Sequence, residues 1–137
     1  MEQQVFSLMI LSFNMFKVGK GRGCLVNLHF KAVFCEEELI GIFKQLIQTA
    51  SENPGDFEEN IALRIQSILK EEGIASELKY VDHHRANLYV VLEGEKEGKT
   101  LLYNGHLDTV PAGYNWDYEP FSAYEDDKGY IYGRGAS

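Results

Sequence analysis

The histidine and aspartate at positions 106 and 108 are the residues of this chain whose types and spacing best suit metal chemistry. Side chains two residues apart on an extended backbone point to the same face. The imidazole can then bind a metal ion through one ring nitrogen. The carboxylate can accept a hydrogen bond from the other nitrogen, which fixes the tautomer and raises the basicity of the ligand. Taken alone, such a pair is more often a solvated turn or a surface ion pair.

The stretch before this pair places it where ligands commonly gather. Thr100 to Tyr103 is a short apolar run, typical of a buried strand, and the motif around His106 follows it closely. In open α/β sheets, ligands and catalytic groups lie at the carboxyl ends of the strands. We therefore expect His106 to lie where a sheet strand ends.

Apolar periodicity predicts the elements that position this motif. They are, in chain order, a helix from Glu37 to Ala50, a helix that ends near Gly73, and strands at Ile74 to Val81, Asn87 to Leu92, Thr100 to Tyr103 and Gly129 to Gly133. Asp56 and Glu59 have the spacing of a capping box at the start of the second helix. The predicted buried stripe of that helix is Phe57, Ile61, Ile65, Ile68 and Leu69. Pro111 to Asp127 reads as a loop, and the whole pattern predicts a mixed α/β fold.

The C-terminal quarter of the chain carries several motifs in one order. From Leu102 it reads LYNGHLDTVPAGYNWDYEPFSAYEDDKGYIYGRGAS. This stretch resembles the metal-dependent aminoacylase, acetylornithine deacetylase, succinyl-diaminopimelate desuccinylase and carboxypeptidase G family of co-catalytic zinc hydrolases. The matching residues are Gly105 to Pro111, Trp116, Pro120, Phe121, Gly129 and Tyr132 to Ser137. Upstream, a helix, Asn53-Pro54-Gly55, a second helix and strands also match, so the resemblance covers residues 36–137.

The resemblance implies an α/β three-layer sandwich with a mixed sheet, of which residues 36–137 form the N-terminal part of the catalytic domain. Residues 1–35 are an unmatched segment of unknown role. By resemblance, His106 binds one of two divalent ions, zinc or alternatively cobalt or manganese, and Asp108 is the catalytic residue that clamps its ring. The family continues after Gly-Arg-Gly-Ala-Ser with an aspartate that bridges both metals. Because the sequence stops at Ser137, we expect an incomplete domain, inactive on its own.

The resemblance also implies the reaction, which is hydrolysis of the amide bond of an N-acyl amino acid. A di- or tripeptidase or carboxypeptidase of the same fold is the first alternative, and a catalytically dead truncated domain is the second. The partner would be a small N-acyl amino acid or a short peptide, and a homodimer through a downstream domain stays open. No substrate-binding residue can be named from the sequence.

Five further residues near the motif have structural and functional interpretations. Gly133 and Gly135 are predicted to allow positive φ or a close approach of the backbone near the metal ions. For Arg134 we favour an ion pair with a carboxylate over substrate binding. Trp116 and Phe121 are predicted either to wall the cleft or to pack within their loop.

Composition excludes some partners. The net charge of −8 argues against nucleic acid and against anionic membranes, both of which require basic patches. The apolar run from Val5 to Phe16 is too short to span a membrane as a helix. Two cysteines form no disulfide framework, so we expect reduced thiols and a cytoplasmic protein. His83 and His84 have polar neighbours and are predicted to be solvated loop residues.

Overall fold

The protein is described by a computed structural model that covers residues 7–8, 35–94 and 98–136. These residues form a mixed α/β structure. Its elements are β1 (Ser7–Leu8), α1 (Glu36–Ile47), α2 (Glu59–Glu71), β2 (Ser76–Asp82), β3 (Arg85–Val90), β4 (Gly105–His106), β5 (Tyr124–Glu125) and β6 (Ile131–Tyr132). Within the described ranges the strands pair two at a time, all antiparallel, as β1–β4, β2–β3 and β5–β6. The predicted run from Val5 to Phe16 lies almost wholly outside the described residues.

Helix α1 confirms the first predicted helix, but it ends three residues early. Three acidic side chains in its first turn and Lys44 in its last turn complement the helix dipole. Beyond Ile47 the chain tightens, because the N–H of Thr49 donates to the carbonyl of Leu46 at 3.1 Å. The Thr49 hydroxyl donates to the carbonyl of Gln45 at 2.9 Å, which satisfies one of the last free carbonyls of the helix.

Helix α2 begins at Glu59, and the predicted capping box is wrong. Asp56 is exposed and the residue at the N-cap, Glu58, makes no side-chain cap bond. Instead, the carbonyl of His84 in the β2–β3 turn accepts the N–H of Glu59 at 3.1 Å. A tertiary contact therefore satisfies an N–H that the sequence pattern assigned to a local side chain.

The end of α2 agrees with the prediction at Gly73. Gly73 has φ 73°, and its N–H donates to the carbonyl of Lys70 at 3.0 Å. The N–H of Ile74 donates to the carbonyl of Leu69 at 2.8 Å, which completes a Schellman motif.

The core lies between α2 and the β2–β3 hairpin. Along β3 the buried residues alternate, because every second side chain faces the helix. The buried core residues are Ala62, Ala86, Leu88, Val90 and Leu107, with Ile61, Ile65, Leu69, Ile74 and Leu78 packed against them. The predicted stripe is therefore confirmed at Ile61, Ile65 and Leu69. Phe57 is different: it precedes the helix with φ 59°, and its ring lies 5.3 Å from the Arg85 guanidinium.

A buried ion pair joins the start of α2 to the start of β3. Glu58 has no exposed surface, and its two carboxylate oxygens accept Nη2 of Arg85 at 2.7 Å and Nε at 3.1 Å. Hydrogen bonding to Glu58 raises the pKa of Arg85. The two-pronged geometry fixes the helix relative to the hairpin.

The predicted strand at Thr100 to Tyr103 is wrong. Residues 98–104 have no regular structure, and Leu101, Leu102 and Tyr103 are exposed. A strand requires a hydrogen-bonding neighbour, and the described part of the chain provides none for this run. The apolar pattern marked a segment suited to burial in a sheet, but the pattern alone cannot supply the neighbouring strand.

The β5–β6 hairpin confirms the predicted strand at 129–133 and adds a partner strand inside the predicted loop. Asp126 forms the turn: its Oδ1 accepts the N–H groups of Lys128 and Tyr130, each at 2.9 Å. The hairpin packs on α1, where Lys44 forms an ion pair with Glu125. A Cβ at Gly133 would overlap the side chain of Ile47 and approach the carbonyl of Pro120 to 3.0 Å. The backbone at Gly133 therefore makes a close approach, but to Ile47 of α1 and to Pro120, whereas the prediction was a close approach near the metal ions.

Gly133→Ala is expected to lower the free energy of unfolding by about 1–3 kcal/mol, because the added methyl group has no space between hairpin and helix. The matched control is Gly41→Ala in α1, where a Cβ meets no atom within 4 Å. The control should raise the free energy of unfolding by about 0.5–1 kcal/mol through helix propensity. Urea unfolding followed by circular dichroism measures both. Equal effects of the two variants would contradict the described docking of the hairpin.

Glu58→Gln is expected to cost about 3 kcal/mol of unfolding free energy, because it leaves the Arg85 charge without its buried partner. Lys79→Met serves as control, since Lys79 and Glu77 are more than half exposed and lie 3.6 Å apart. The control should change stability by less than about 1 kcal/mol. The same urea titration measures both variants. A loss in Glu58→Gln no greater than in the control would show that the pair does not join helix and hairpin.

Candidate metal centre

The ring of His106 contacts both the backbone carbonyl oxygen and a carboxylate oxygen of Asp108. Nδ1 of His106 lies 2.7 Å from the backbone carbonyl oxygen of Asp108 and 3.2 Å from its Oδ1. A carbonyl oxygen only accepts hydrogen bonds, so the proton of the neutral ring lies on Nδ1. Nε2 then presents its lone pair, and the His106 side chain is 70% exposed. This tautomer is the one that a histidine uses to bind a metal through Nε2.

Leu107 separates the two residues and secures their position. It is buried in the core, 6% exposed, while His106 and Asp108 lie on the more accessible side. The alternation predicted from the spacing therefore holds, although the described residues form no strand at Thr100 to Tyr103. In the β1–β4 ladder, Ser7 is the register partner of His106.

The segment between the two helices holds the motif from behind. The N–H of Thr109 donates to the carbonyl of Ser51 at 3.0 Å, and the N–H of Asn53 donates to the carbonyl of Thr109 at 2.8 Å. These bonds form a parallel bridge between Glu52 and Thr109. The buried hydroxyl of Ser51 donates to the carbonyl of Leu107 at 2.8 Å.

The side chain of Asn53 reaches the motif directly. Its Nδ2 donates to Oδ2 of Asp108 at 3.1 Å. The sequence did not predict Ser51 and Asn53 as supports of the site. The only signal was the matching Asn53-Pro54-Gly55, which gives no indication of the distant partner.

A cavity of about 280 Å³ adjoins the motif. Its polar wall includes His106, Asp108 and Arg134. The apolar wall includes Phe43, Leu46, Ile47, Ile61, Ile65, Leu107 and Phe121. Phe121 thus lines the cleft, as one of its two predicted interpretations held, whereas Trp116 packs within its loop.

Arg134 does not form the predicted ion pair. Its Nη2 donates to the carbonyl of Ala112 at 2.9 Å, and its guanidinium lies 4.9 Å from the ring of Trp116. Trp116 donates from Nε1 to the same carbonyl at 2.8 Å. Glu52 accepts the N–H of Ala112. These contacts hold the loop that follows the motif, so Arg134 is a structural residue without a carboxylate partner among the described residues.

Gly135 behaves as predicted. It has φ 88°, a conformation that side chains with a Cβ rarely adopt. A Cβ here would also lie 3.1 Å from Cγ2 of Thr109, next to the motif.

His83 and His84 are exposed, as predicted, but His84 is not free. Its Nδ1 contacts the carboxylate of Glu59, and the hydroxyl of Tyr80 donates to that carboxylate at 2.8 Å. Hydrogen bonds from His84, which has the larger effect, and from Tyr80 lower the pKa of Glu59. This cluster lies at the start of α2 and is separate from His106.

The fit of these residues to a metal ion is partial. His106 has the tautomer, the exposure and the supporting carboxylate of a ligand. Among the described residues, however, no three His, Cys, Asp or Glu side chains lie close enough to share one ion. A catalytic zinc ion uses about three protein ligands. This part of the chain therefore offers one ligand and not a complete site.

None of the described helices has the length and apolar character needed to cross a bilayer.

Comparison with known proteins connects this geometry to a family. The chain is 33% identical over 103 residues to aminoacylase-1 of Dictyostelium discoideum, which covers 73% of the chain and 25% of that protein. It is 39% identical over 98 residues to succinyl-diaminopimelate desuccinylase of Sulfurimonas denitrificans, a match that covers 71% of the chain and 25% of that protein. A probable succinyl-diaminopimelate desuccinylase of Staphylococcus aureus is 34% identical to the chain over 107 residues. This match covers 76% of the chain and 25% of that protein.

The chain thus spans about a quarter of the length of these relatives. No protein-family model matches it. No solved structure matches it either. Over about 100 residues, the chain is homologous to the aminoacylase and succinyl-diaminopimelate desuccinylase family of metallohydrolases.

Proposed function

We propose that this chain supplies one part of the catalytic domain of a metal-dependent hydrolase that removes acyl groups from N-acyl amino acids. The observation that carries the proposal is the ring of His106, held by Asp108 in the tautomer that leaves Nε2 open. The names of the relatives, aminoacylase and desuccinylase, both denote removal of an acyl group. The substrate is then a small N-acyl amino acid, and nucleic acid and membranes are not partners.

In this proposal His106 binds one of two zinc ions through Nε2. When bound, the ions would polarise a water molecule and the amide carbonyl. Asp108 keeps the proton on Nδ1 and strengthens the ligand through its negative charge. The remaining ligands and the general base come from parts of the enzyme that correspond to the other three-quarters of the relatives. The same parts would complete a mixed sheet and a three-layer sandwich around the exposed run at residues 101–103.

Two properties of the proposed enzyme stay predictions. The cytoplasmic location rests on the small number of cysteines, of which Cys35 is free in the structure. The homodimer rests only on the family resemblance and on a domain outside this chain.

A catalytically inactive domain is the second candidate, and one observation favours it. The described residues offer a single metal ligand, and one imidazole cannot hold a metal ion tightly enough to activate water. The two candidates predict different behaviour of the uninterrupted gene product, by which we mean a protein that also contains the parts corresponding to the other three-quarters of the relatives. That protein should bind metal and turn over substrate only if the first candidate is right.

We expect the uninterrupted gene product to purify with bound zinc and to hydrolyse N-acyl amino acids faster than dipeptides. A chelator should abolish turnover and zinc should restore it. His106→Phe should lower kcat/KM and the bound metal by more than about 100-fold, because a ligand is worth at least as much as its supporting carboxylate. His83→Phe is the matched control and should retain both, since His83 is exposed and does not line the cavity beside His106.

Four results would contradict parts of this proposal. Full turnover of His106→Phe or turnover that resists chelation would remove the metal mechanism. Faster hydrolysis of dipeptides would favour the peptidase alternative. A gene product without metal or activity would support the inactive domain.

A further inference from the structure

We propose that Asn53 is a positioning residue for the metal ligand: its amide holds the carboxylate of Asp108, and that carboxylate holds the ring of His106. The consequence for metal binding rests on the proposed function. The effect on the ring itself does not, because it concerns hydrogen bonds within this chain.

The carboxylate of Asp108 is divided between two partners. Oδ2 accepts Nδ2 of Asn53 at 3.1 Å, and Oδ1 lies 3.2 Å from Nδ1 of His106. A carboxylate with a partner on only one oxygen can rotate about its terminal torsion, which is broad and roughly two-fold. With Asn53 on the far oxygen, the near oxygen stays directed at the imidazole.

The amide of Asn53 is itself held in place by the backbone. The N–H of Asn53 donates to the carbonyl of Thr109, the residue that follows Asp108, at 2.8 Å. Two residues earlier, the carbonyl of Ser51 accepts the N–H of Thr109 at 3.0 Å. Backbone bonds therefore connect the two segments on both sides of the side-chain contact, so little conformational entropy opposes that contact.

The chemical type of residue 53 matters as well as its place. An amide N–H donates a hydrogen bond to the carboxylate and brings no charge of its own. The charge of Asp108 then remains available to the imidazole. A lysine here would neutralise that charge, whereas an aspartate would place a second negative charge beside it and repel it. Asparagine is the side chain of suitable length that donates a hydrogen bond and carries no charge.

Asp108 also offers its backbone carbonyl to Nδ1, at 2.7 Å. The carbonyl is fixed by the chain and does not depend on Asn53. Loss of Asn53 should therefore reduce the preference for a proton on Nδ1 and not abolish it. A partial shift of the tautomer equilibrium is the expected result.

The test measures the tautomer of His106 in the metal-free chain at pH 8, from the ¹⁵N chemical shifts of the two ring nitrogens. Wild type should hold the proton mainly on Nδ1. Asn53→Leu, which is similar in size and has no donor, should lower that fraction, and Asn53→Asp should lower it too. Asn60→Leu on the exposed face of α2 is the matched control and should leave it unchanged.

A double-mutant cycle separates positioning from a general structural effect. In an Asp108→Ala background, Asn53→Leu should cause no further change, because the side chain that accepts the hydrogen bond from Asn53 is gone. The inference is overturned if Asn53→Leu and Asn53→Asp keep the wild-type fraction, or if Asn53→Leu has the same effect in both backgrounds. If Asn53→Leu does not fold, Asn53→Asp decides by the same criterion.

Zinc affinity of the uninterrupted gene product then connects this inference to the proposed function. Asn53→Leu should weaken it by about 10–100-fold, the usual effect of losing a group that orients a ligand. If wild type shows no zinc binding but the tautomer still shifts, the proposed function fails and the role of Asn53 stands. If zinc binds tightly and Asn53→Leu changes neither tautomer nor affinity, the reverse holds.

Discussion

The structure of the candidate site depends on the hydrogen bonds between two segments that lie more than 50 residues apart in the sequence. Residues 51–53, between the helices, run parallel to residues 107–109 and bond to them through the backbone and through the hydroxyl of Ser51. Leu107, between His106 and Asp108, is buried in the core and anchors the motif there. His106 and Asp108 are thereby presented on the accessible side, with Asn53 behind the carboxylate. The chemistry of one imidazole thus rests on a short stretch of parallel backbone pairing.

The rest of the described fold supports this pairing. The ion pair of Glu58 with Arg85 fixes the start of α2 against the β2–β3 hairpin. The segment between the two helices, which contains residues 51–53, is therefore held at its C-terminal end. Arg134, Trp116 and Glu52 converge on Ala112 and hold the loop after the motif. Gly133 lets the β5–β6 hairpin lie directly on α1. Each contact is modest, but together they leave the ring of His106 as an exposed group on a fixed support.

Sequence reasoning reached the local features of this structure and missed most of the distant ones. Both helices, the stop at Gly73 and the shared face of His106 and Asp108 follow from periodicity and backbone preference, which act over a few residues. The cap of α2 by the His84 carbonyl and the contact of Asn53 with Asp108 need the three-dimensional path of the chain. The strand predicted at Thr100 to Tyr103 failed for the same reason, since a strand is defined by its neighbours.

The most direct measurement is a crystal structure of the uninterrupted gene product with anomalous scattering data at the zinc absorption edge. We expect a zinc ion about 2.0–2.1 Å from Nε2 of His106, with Asp108 still hydrogen-bonded to Nδ1. A zinc ion bound through Nδ1, or bound elsewhere with Nε2 of His106 turned to solvent, would contradict it.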